Sequence, residues 1–174
     1  FFEVGNVYKY NKEKWTEESP VKAYVQDYHM ALWVTGKRVQ GSWAHPDEES
    51  SFYELKAYVE NILHRIGVAQ GLLVSGKSDN NVFDKAIALR TRGGKVLVEM
   101  GILSHRLLKS FGLDQKVYYA ELDWAGLMKA IRKNRLQFQE ISKYPAVSRD
   151  LALLVDDKVE FAQIEEIARQ TDKK

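Results

Sequence analysis

Histidines are the side chains best suited to acid–base or metal chemistry here, and their spacing favours neither. His29, His45, His64 and His105 lie far apart, form no His-x-x-x-His pair and have no cysteine to support them. Zinc sites draw their ligands from closely spaced histidines and cysteines. His64 follows Glu60 by four residues, so a pair on a helix surface is the simpler interpretation. The sequence therefore predicts no metal site.

Two short motifs could bind Mg2+ or phosphate. The run Asp47-Glu48-Glu49 supplies carboxylates, which Mg2+ prefers, but such a run also fits a solvated loop. The pair Gly93-Gly94 could let the backbone approach a phosphate. No helix start follows the pair, and glycines equally suit a tight turn between strands. The loop and the turn are the simpler interpretations.

Basic residues gather in one segment, which contains Lys129, Arg132, Lys133 and Arg135. Such a cluster could attract a nucleic-acid backbone without regard to base sequence. A helix end, where the helix dipole favours cations, is the simpler interpretation. The net charge of the chain does not distinguish nucleic-acid binding from a helix end, because its 26 basic and 24 acidic residues nearly cancel. Net charge thus indicates binding to neither nucleic acid nor a membrane.

The remaining composition indicates a globular chain. Its 174 residues, 45% of them hydrophobic, suffice for one domain or for one domain plus part of another. The absence of cysteine excludes disulfides and agrees with a reducing cytoplasm. No apolar run approaches the roughly 20 residues of a membrane span. The opening Phe-Phe-Glu-Val-Gly has no initiator methionine and no basic leader, so we expect both ends to be cut from a longer polypeptide.

Alternation and capping signals predict an α+β fold with a mainly antiparallel sheet and packed helices. Consecutive strands are joined mostly by turns, whereas a parallel sheet needs helical crossovers. Ser51 and Glu54 have the spacing of a capping box, an apolar stripe follows them, and Gly67 ends the predicted helix. Shorter helices are expected after Ser104 and Asp123. The predicted strands are residues 1–10, 29–35, 71–75, 86–92, 95–100 and 117–122.

The clearest hairpin turns at Gly93-Gly94. Counting outward from the turn gives the pairs of the predicted core face: Thr91 with Val96, Leu89 with Val98, and Ile87 with Met100. The other face is predicted to meet solvent or a partner, and it carries Arg90, Arg92, Lys95 and Glu99.

The C-terminal residues have the pattern of a domain that has begun but is not complete. Residues 151–155 are too apolar for a solvated loop and too short for a helix, so we predict a strand buried on at least one face. A polar helix over 161–174 follows. A lone strand and helix cannot bury such a face. We therefore expect an incomplete domain after a linker near 133–138, with an end that is mobile or held by a neighbour.

Motifs spread along the whole chain carry a family resemblance. They are the opening Phe-Phe-Glu-Val-Gly-Asn-Val-Tyr, then Ser51-Phe-Tyr-Glu-Leu-Lys56, then Val98-Glu-Met-Gly-Ile-Leu-Ser-His-Arg-Leu-Leu-Lys109 with Val117-Tyr-Tyr-Ala-Glu-Leu-Asp123, and most specifically residues 142–155. In order and spacing they resemble the β-subunit family of phenylalanine–tRNA ligase. Residues 78–82, 101–105 and 148 depart from the family pattern, and Ser78-Asp-Asn-Asn-Val82 replaces a turn of the His-Pro-Gly-Arg type.

The resemblance implies a class II synthetase-like, non-catalytic core over 1–136, followed over 137–174 by the first strand and helix of a truncated ferredoxin-like anticodon-binding domain. It implies a cytoplasmic (αβ)2 heterotetramer that uses ATP and Mg2+ to attach phenylalanine to tRNA(Phe), with the active site in the α subunit. This chain is then expected to hold the α subunit and to help position tRNA. We expect it to bind no ATP, metal, membrane or DNA by itself.

Arginines decide whether a class II adenylation site is possible, because they hold the triphosphate and neutralise the charge that develops at the α-phosphate. Residues 1–10 contain no arginine. Residues 101–106 combine one glycine with a single arginine, Arg106, for which a surface or partner contact is a simpler interpretation than ATP binding. We therefore expect no catalytic residue in this chain.

Candidate contact residues follow from the same resemblance. The tRNA-binding candidates are Arg132, Lys133, Arg135, Lys143 and Arg149, in a tail whose acidic residues should keep RNA binding weak. Trp15, Tyr24 and Trp43 are candidates for the α-subunit contact, because tryptophan and tyrosine are enriched at interfaces, although burial within the chain explains them equally well. The alternative is a free-standing α+β enzyme or small-molecule-binding domain that uses the pocket of the sheet.

Overall fold

The computed structural model describes residues 1–69, 71–132, 134, 143–145 and 147–171, and the chain divides into two compact units, residues 1–135 and 136–174. The described part of the larger unit combines an antiparallel sheet with three α-helices, which confirms the α+β class. The identity of the two predicted domains, 1–136 and 137–174, stays a prediction. The predicted linker, near 133–138, lies outside the described residues except for Asn134.

The larger unit is organised around one six-stranded sheet in which all neighbouring strands are antiparallel. Its strands are β1 (Phe2–Tyr10), β2 (Tyr24–Thr35), β5 (Leu73–Lys77), β6 (Phe83–Thr91), β7 (Val96–Leu103) and β8 (Val117–Asp123), in the spatial order β1-β2-β8-β7-β6-β5. Two short strands, β3 (Lys37–Val39) and β4 (Glu48–Glu49), form a separate pair. The six predicted strands of this unit are present, but β2 begins at Tyr24 and not at His29, β5 spans 73–77 and not 71–75, and β6 begins at Phe83 and not at Ala86.

Side-chain caps start the three helices of this unit, α1 (Phe52–Arg65), α2 (His105–Ser110) and α3 (Trp124–Ile131). A cap oxygen accepts a hydrogen bond from an otherwise unpaired amide of the first turn. As predicted, the caps are Ser51, Ser104 and Asp123. Gly67 ends α1 with a φ of 84°, a conformation that favours glycine. No helix in the described part of the chain has the length and apolar character needed to cross a membrane.

Helices α1 and α3 cover one face of the sheet. Alternate residues of the strands point towards these helices and form the main core, whose strand members are Leu32, Leu97, Val98, Met100, Ala120 and Leu122. The helices contribute Leu55, Val59, Leu63 and Leu127. We call this the covered face. Burial of each large apolar side chain contributes roughly 1.5–3 kcal/mol, so this face supplies most of the stability of the unit.

The hairpin of β6 and β7 has the predicted core face but a different turn. Leu89 pairs with Val98 and Ile87 with Met100, as predicted. The predicted pair of Thr91 with Val96 is wrong, because Val96 pairs with Arg90 and Leu97 is left as the extra residue of a bulge. Counting from a two-residue turn failed because the loop has three residues between Thr91 and Lys95, whose backbones are hydrogen-bonded. Only Gly94 of the glycine pair has a positive φ, at 84°.

The smaller unit contains the predicted helix, α4 (Phe161–Thr171), but not the predicted strand. Residues 151–155 have no regular secondary structure, and their side chains are exposed. The prediction of a buried strand was wrong because an apolar run becomes a strand only beside another strand, and the described residues of this unit contain none.

The second face of the large sheet is only partly covered. At one end, α2 packs Leu108 against Phe83, Leu103 and Val117 in a smaller cluster. Tyr119 extends this cluster, with its ring stacked on Phe83 at a centroid distance of 5.9 Å. At the other end the second face is polar and concave.

Candidate functional site

A concavity of about 450 Å3 lies on the second face, where residues of β1, β2, β7 and β8 meet. Its size falls within the roughly 300–1,000 Å3 of small-molecule sites. We call it the polar concavity. Its charged and polar lining residues are Lys9, Asp27, His29, Asn80, Lys95, Glu99, Glu121 and Asp123.

Strand alternation places these side chains opposite the covered face. On β8, Glu121 and Asp123 flank the core residue Leu122. The strand register then sets the neighbours, because His29 lies opposite Asp123 and Glu99 lies opposite Glu121. Carboxylates directly opposite each other on neighbouring strands repel. The two glutamates must therefore be compensated by other groups.

Glu121 is held by His29 and Tyr119. The distance from His29 Nδ1 to Glu121 Oε1 is 2.7 Å, and His29 is partly buried. Burial raises the pKa of the Tyr119 hydroxyl well above its ordinary value, and the charge of Glu121 and a hydrogen bond to it add to the effect. Tyr119 therefore stays protonated and serves Glu121 as a hydrogen-bond donor.

Glu99 has a separate set of donors. The Ser78 hydroxyl donates to Glu99 Oε1 at 2.5 Å, and the Asn80 side-chain amide donates to Oε2 at 3.0 Å. Ser78 is buried, and its oxygen also accepts from the Asn80 backbone amide. The turn that departs from the family pattern thus supplies both donors to this carboxylate. Hydrogen bonds from neutral donors to a carboxylate stabilise its charged form.

Two lysines pair with the other two carboxylates of the concavity. Lys95 Nζ lies 2.6 Å from Asp123, and Lys9 Nζ lies 3.8 Å from Asp27. Burial alone would raise the pKa of Asp123, but hydrogen bonds from Lys95 and from the Gly126 amide, with the charges of Lys95 and His29, hold it below its ordinary value. Asp123 therefore joins the β7 hairpin to the start of α3.

The arrangement does not form a nucleophilic pair. Ser78 and His29 bond to different glutamates, whereas a catalytic serine needs a hydrogen bond to its base. Among the described residues, no group of three or more histidine, aspartate or glutamate side chains is placed to hold a metal ion. The polar concavity thus presents carboxylates to solvent, with two lysines already engaged.

Comparison with known proteins identifies the family. Residues 1–124 match the family model described as the phenylalanyl tRNA synthetase beta chain CLM domain. The chain belongs to the phenylalanine–tRNA ligase β-subunit family. The resemblance seen in the sequence is therefore confirmed.

Relatives match most or all of the chain. It is 53% identical over 174 residues to the phenylalanine–tRNA ligase β subunit of Bacteroides thetaiotaomicron, covering 100% of this chain and 21% of the relative. It is 42% identical over 173 residues to that of Porphyromonas gingivalis, covering 99% and 21%. It is 30% identical over 147 residues to that of Syntrophotalea carbinolica, covering 84% and 18%. The chain thus spans about a fifth of the length of these β subunits.

The lining of the polar concavity includes none of the predicted tRNA-binding residues that the structure of this β-subunit chain describes. Arg132 is exposed just after α3, and Lys143 and Arg149 are exposed in the smaller unit. Lys133 and Arg135 lie outside the described residues. Their role in tRNA binding stays a prediction.

The other candidate motifs also lie elsewhere. Asp47 accepts hydrogen bonds from Lys37 and from the Gly41 amide, which lower its pKa, and its two acidic neighbours form β4. Glu60, the predicted partner of His64, has its ion pair with Lys56 at 3.3 Å. Arg106 is exposed on α2. Of the two interpretations given for the aromatic candidates, the structure favours exposure: Trp43 is fully exposed, and Trp15 and Tyr24 are about half exposed.

Sequence reasoning missed the polar concavity as a cluster. Alternation along β8 could have assigned Glu121 and Asp123 to the face opposite Leu122. It could not show that β2 and β7 flank β8, because these strands are far apart in the chain. The meeting of His29, Glu99 and Glu121 depends on that non-local order.

Proposed function

We propose that this chain is an assembly module of phenylalanine–tRNA ligase. Its larger unit acts as a class II synthetase-like core that holds the α subunit, and its smaller unit begins a ferredoxin-like domain that helps position tRNA(Phe). The whole enzyme would be a cytoplasmic (αβ)2 heterotetramer that uses ATP and Mg2+ to attach phenylalanine to tRNA, with its active site in the α subunit. The observation that carries this proposal is the charge of the polar concavity.

The polar concavity would repel a triphosphate, because its lining is rich in carboxylates and its lysines are already paired. Adenylation needs cations directed at the phosphates, because the transition state is stabilised mainly by electrostatics. The described cations of the lining are Lys9 and Lys95, and each has an aspartate partner within 4 Å. Glu99 and Glu121 add two more carboxylates, bonded by His29 and by neutral donors. Among the described lining residues no lysine or arginine is therefore left unpaired to face a triphosphate, which supports a non-catalytic role.

Exposed aromatic residues support an assembly role. Trp43 lies fully exposed between β3 and β4, and Trp15 and Tyr24 lie in and beside the long loop from β1 to β2. Tryptophan and tyrosine dominate the binding energy of many protein interfaces. We therefore place the α-subunit contact on these side chains.

Exposed cations support a weak contribution to tRNA binding. Arg132, Lys143 and Arg149 are all exposed, as a contact with the phosphate backbone requires. Such contacts are independent of sequence and weaken with salt.

The test is co-expression of the chain with the α subunit, followed by light scattering and an aminoacylation assay. We expect a stable complex with the α subunit, and no aminoacylation and no ATP binding by the chain alone. Replacing Trp15 and Trp43 by alanine should weaken the complex by about tenfold or more, as interface hot spots do. The matched control is Phe111→Ala, which removes another exposed aromatic ring, at the end of α2, whose exposed fraction of 73% lies between those of Trp15 and Trp43. Aminoacylation by the chain alone, or an unchanged complex in the tryptophan variants, would contradict the proposal.

The volume of the polar concavity favours a second candidate, a small-molecule-binding domain. Calorimetry of the chain with ATP and with phenylalanine distinguishes the two proposals. Binding that is lost in Glu121→Gln would favour the small-molecule role, because Glu121 lines the concavity.

A further inference from the structure

A second pocket, of about 380 Å3, lies where the end of β2, the pair of β3 with β4 and the start of β8 meet. Its lining consists of residues 36–37, 49–50, 115–116 and 118. None of these residues also lines the polar concavity. The volume falls within the roughly 300–1,000 Å3 of small-molecule sites. We call it the β3–β4 pocket.

Hydrogen bonds fix the walls of the β3–β4 pocket. The Ser50 amide donates to the Gly36 carbonyl at 2.9 Å, which ties the end of β4 to the start of β3. On the other side, the Thr35 hydroxyl donates to the Lys116 carbonyl at 2.7 Å. Gly36 has a φ of 76°, a conformation that favours glycine. A ligand would therefore meet walls that are already formed, and such preorganisation lowers the cost of binding.

Ser50 is the side chain that indicates a ligand. The residue is only 9% exposed, and it lines the pocket. Within the described part of the chain, no group bonds to its hydroxyl, although the hydroxyl still reaches solvent through the pocket. Buried polar groups normally have hydrogen-bond partners, and the similarly buried Ser78 bonds to Glu99 and Asn80. A polar atom of a ligand would supply the partner that Ser50 lacks.

The free charges of the pocket are one cation and one anion. Lys116 and Glu49 are both exposed, and neither forms an ion pair with a described residue. Lys37, the other lysine of the lining, is engaged by Asp47 at 2.6 Å. A simple anion would be repelled by Glu49, and a simple cation would be repelled by Lys116. A ligand that carries both charges complements both residues.

We propose that the β3–β4 pocket binds a free α-amino acid in its zwitterionic form. Both charges of such a molecule lie on one carbon atom, and Glu49 and Ser50 are consecutive residues of the lining. The ligand carboxylate would accept hydrogen bonds from the Ser50 hydroxyl and from Lys116, and the ligand ammonium group would face Glu49. The site is independent of the proposed α-subunit contact at Trp15 and Trp43, so its failure would leave that proposal untouched.

The first test is an NMR titration of the 15N-labelled chain with each standard amino acid in turn. We expect at least one of them to shift the amide signals of residues 36–37, 49–50 and 115–118, with a dissociation constant of about 1 mM or below. The N-acetyl derivative of that amino acid lacks the ammonium group, and its amide derivative lacks the carboxylate. Each derivative should bind about fivefold more weakly.

Two results of this titration would overturn the proposal. One is the absence of shifts at these amides with every amino acid at about 10 mM, because the site would then be too weak to be specific. The other is equal binding of the amino acid and its N-acetyl derivative, which would reveal a site for a simple anion.

Variants of the lining assign the contacts. Ser50→Ala should raise the dissociation constant about tenfold, because a hydrogen bond from a buried hydroxyl to a charged carboxylate is lost, whereas the backbone bond to Gly36 remains. Lys116→Gln and Glu49→Gln should each raise it about fivefold, since ion pairs of exposed side chains contribute less. The matched control is Lys109→Gln, which removes an exposed lysine of α2 outside the lining and should leave binding unchanged. Unchanged binding in Ser50→Ala would contradict the proposal.

Combining variants with derivatives tests which charges meet. Glu49→Gln should not weaken the N-acetyl derivative further, and Lys116→Gln should not weaken the amide derivative further, because each derivative already lacks the charge that the residue would face. Effects that simply add would overturn this assignment. Glu121→Gln should leave binding unchanged, since Glu121 lines only the polar concavity. Loss of binding in Glu121→Gln would move the ligand to the polar concavity and overturn the proposal for the β3–β4 pocket.

Discussion

The two faces of the large sheet differ in what holds their side chains. On the covered face, Leu122 and Met100 are fully buried beneath helices. On the second face, their neighbours Glu121 and Glu99 lie opposite each other, and each is held by its own hydrogen-bond donors. One set of strands thus supports an apolar core on one face and two opposed carboxylates on the other. We therefore expect that substitutions can alter stability and surface chemistry separately in this fold.

The largest expected effect is the loss of a side chain from the covered face. Leu122→Ala should lower the free energy of unfolding by about 2–5 kcal/mol, because it leaves a cavity between the sheet and its helices. Denaturant unfolding followed by circular dichroism measures this change in the free energy of unfolding. Glu121→Gln, one residue away on the second face, is the control and should change stability by less than about 1 kcal/mol. Equal effects at the two positions would remove the contrast between the faces.

Asp123 connects the two faces and should have an intermediate effect. Its carboxylate accepts from the Gly126 amide at 2.7 Å and lies 2.6 Å from Lys95. Asp123→Ala should lower the free energy of unfolding by about 1–2 kcal/mol through loss of a helix cap and an ion pair. Asp123→Asn can still cap the helix and should retain most of that stability. If both variants lose the same amount, the ion pair rather than the cap is responsible.

The lowered pKa of Asp123 predicts a dependence on pH. A carboxyl whose pKa is lower in the folded than in the unfolded state stabilises the fold above its unfolded pKa, and this stabilisation is lost as pH falls through the folded value. The ordinary value is 3.8, so the loss is expected below that pH. Unfolding of the unchanged chain and of Asp123→Asn should be compared between neutral and acidic pH. The difference in stability between them should shrink on acidification, and a constant difference would contradict the assigned pKa.

The helices and strands can be predicted from the sequence more completely than the polar concavity can. Caps at Ser51 and Asp123 and the alternation on β7 are local patterns, so helices and strands could be predicted from them. Errors arose where a long-range partner decides the outcome. Residues 151–155 are as apolar as parts of β7, yet they form no strand without a neighbour. His29 and Glu121 are 92 positions apart, and only the strand order brings them together.

A smaller effect on stability is expected when one of the two opposed carboxylates of the second face, Glu99 or Glu121, is neutralised. Glu99→Gln should change the free energy of unfolding by only a few tenths of a kcal/mol, in the stabilising direction, because it relieves the repulsion from Glu121. The glutamine carbonyl can still accept from Ser78, but its NH2 group cannot accept the hydrogen bond that Asn80 donates to Glu99, and this loss offsets part of the gain. The comparison should be made at low and high salt, since salt screens the repulsion and should shrink the gain. A loss of more than about 1 kcal/mol would mean that the buried Ser78 hydroxyl needs a charged acceptor.

The smallest change in stability is expected from substitution of an exposed apolar residue that lies in no sheet. Leu154 is fully exposed in the smaller unit. Leu154→Ser should therefore change the free energy of unfolding by less than about 0.5 kcal/mol, in contrast to Leu122→Ala, although both substitutions remove a leucine. Thermal unfolding of the two variants beside the unchanged chain measures the contrast. A fall in the unfolding temperature with Leu154→Ser as large as that with Leu122→Ala would show that residues 151–155 are buried after all. In that case an apolar run, and not strand pairing, would define the core of the smaller unit.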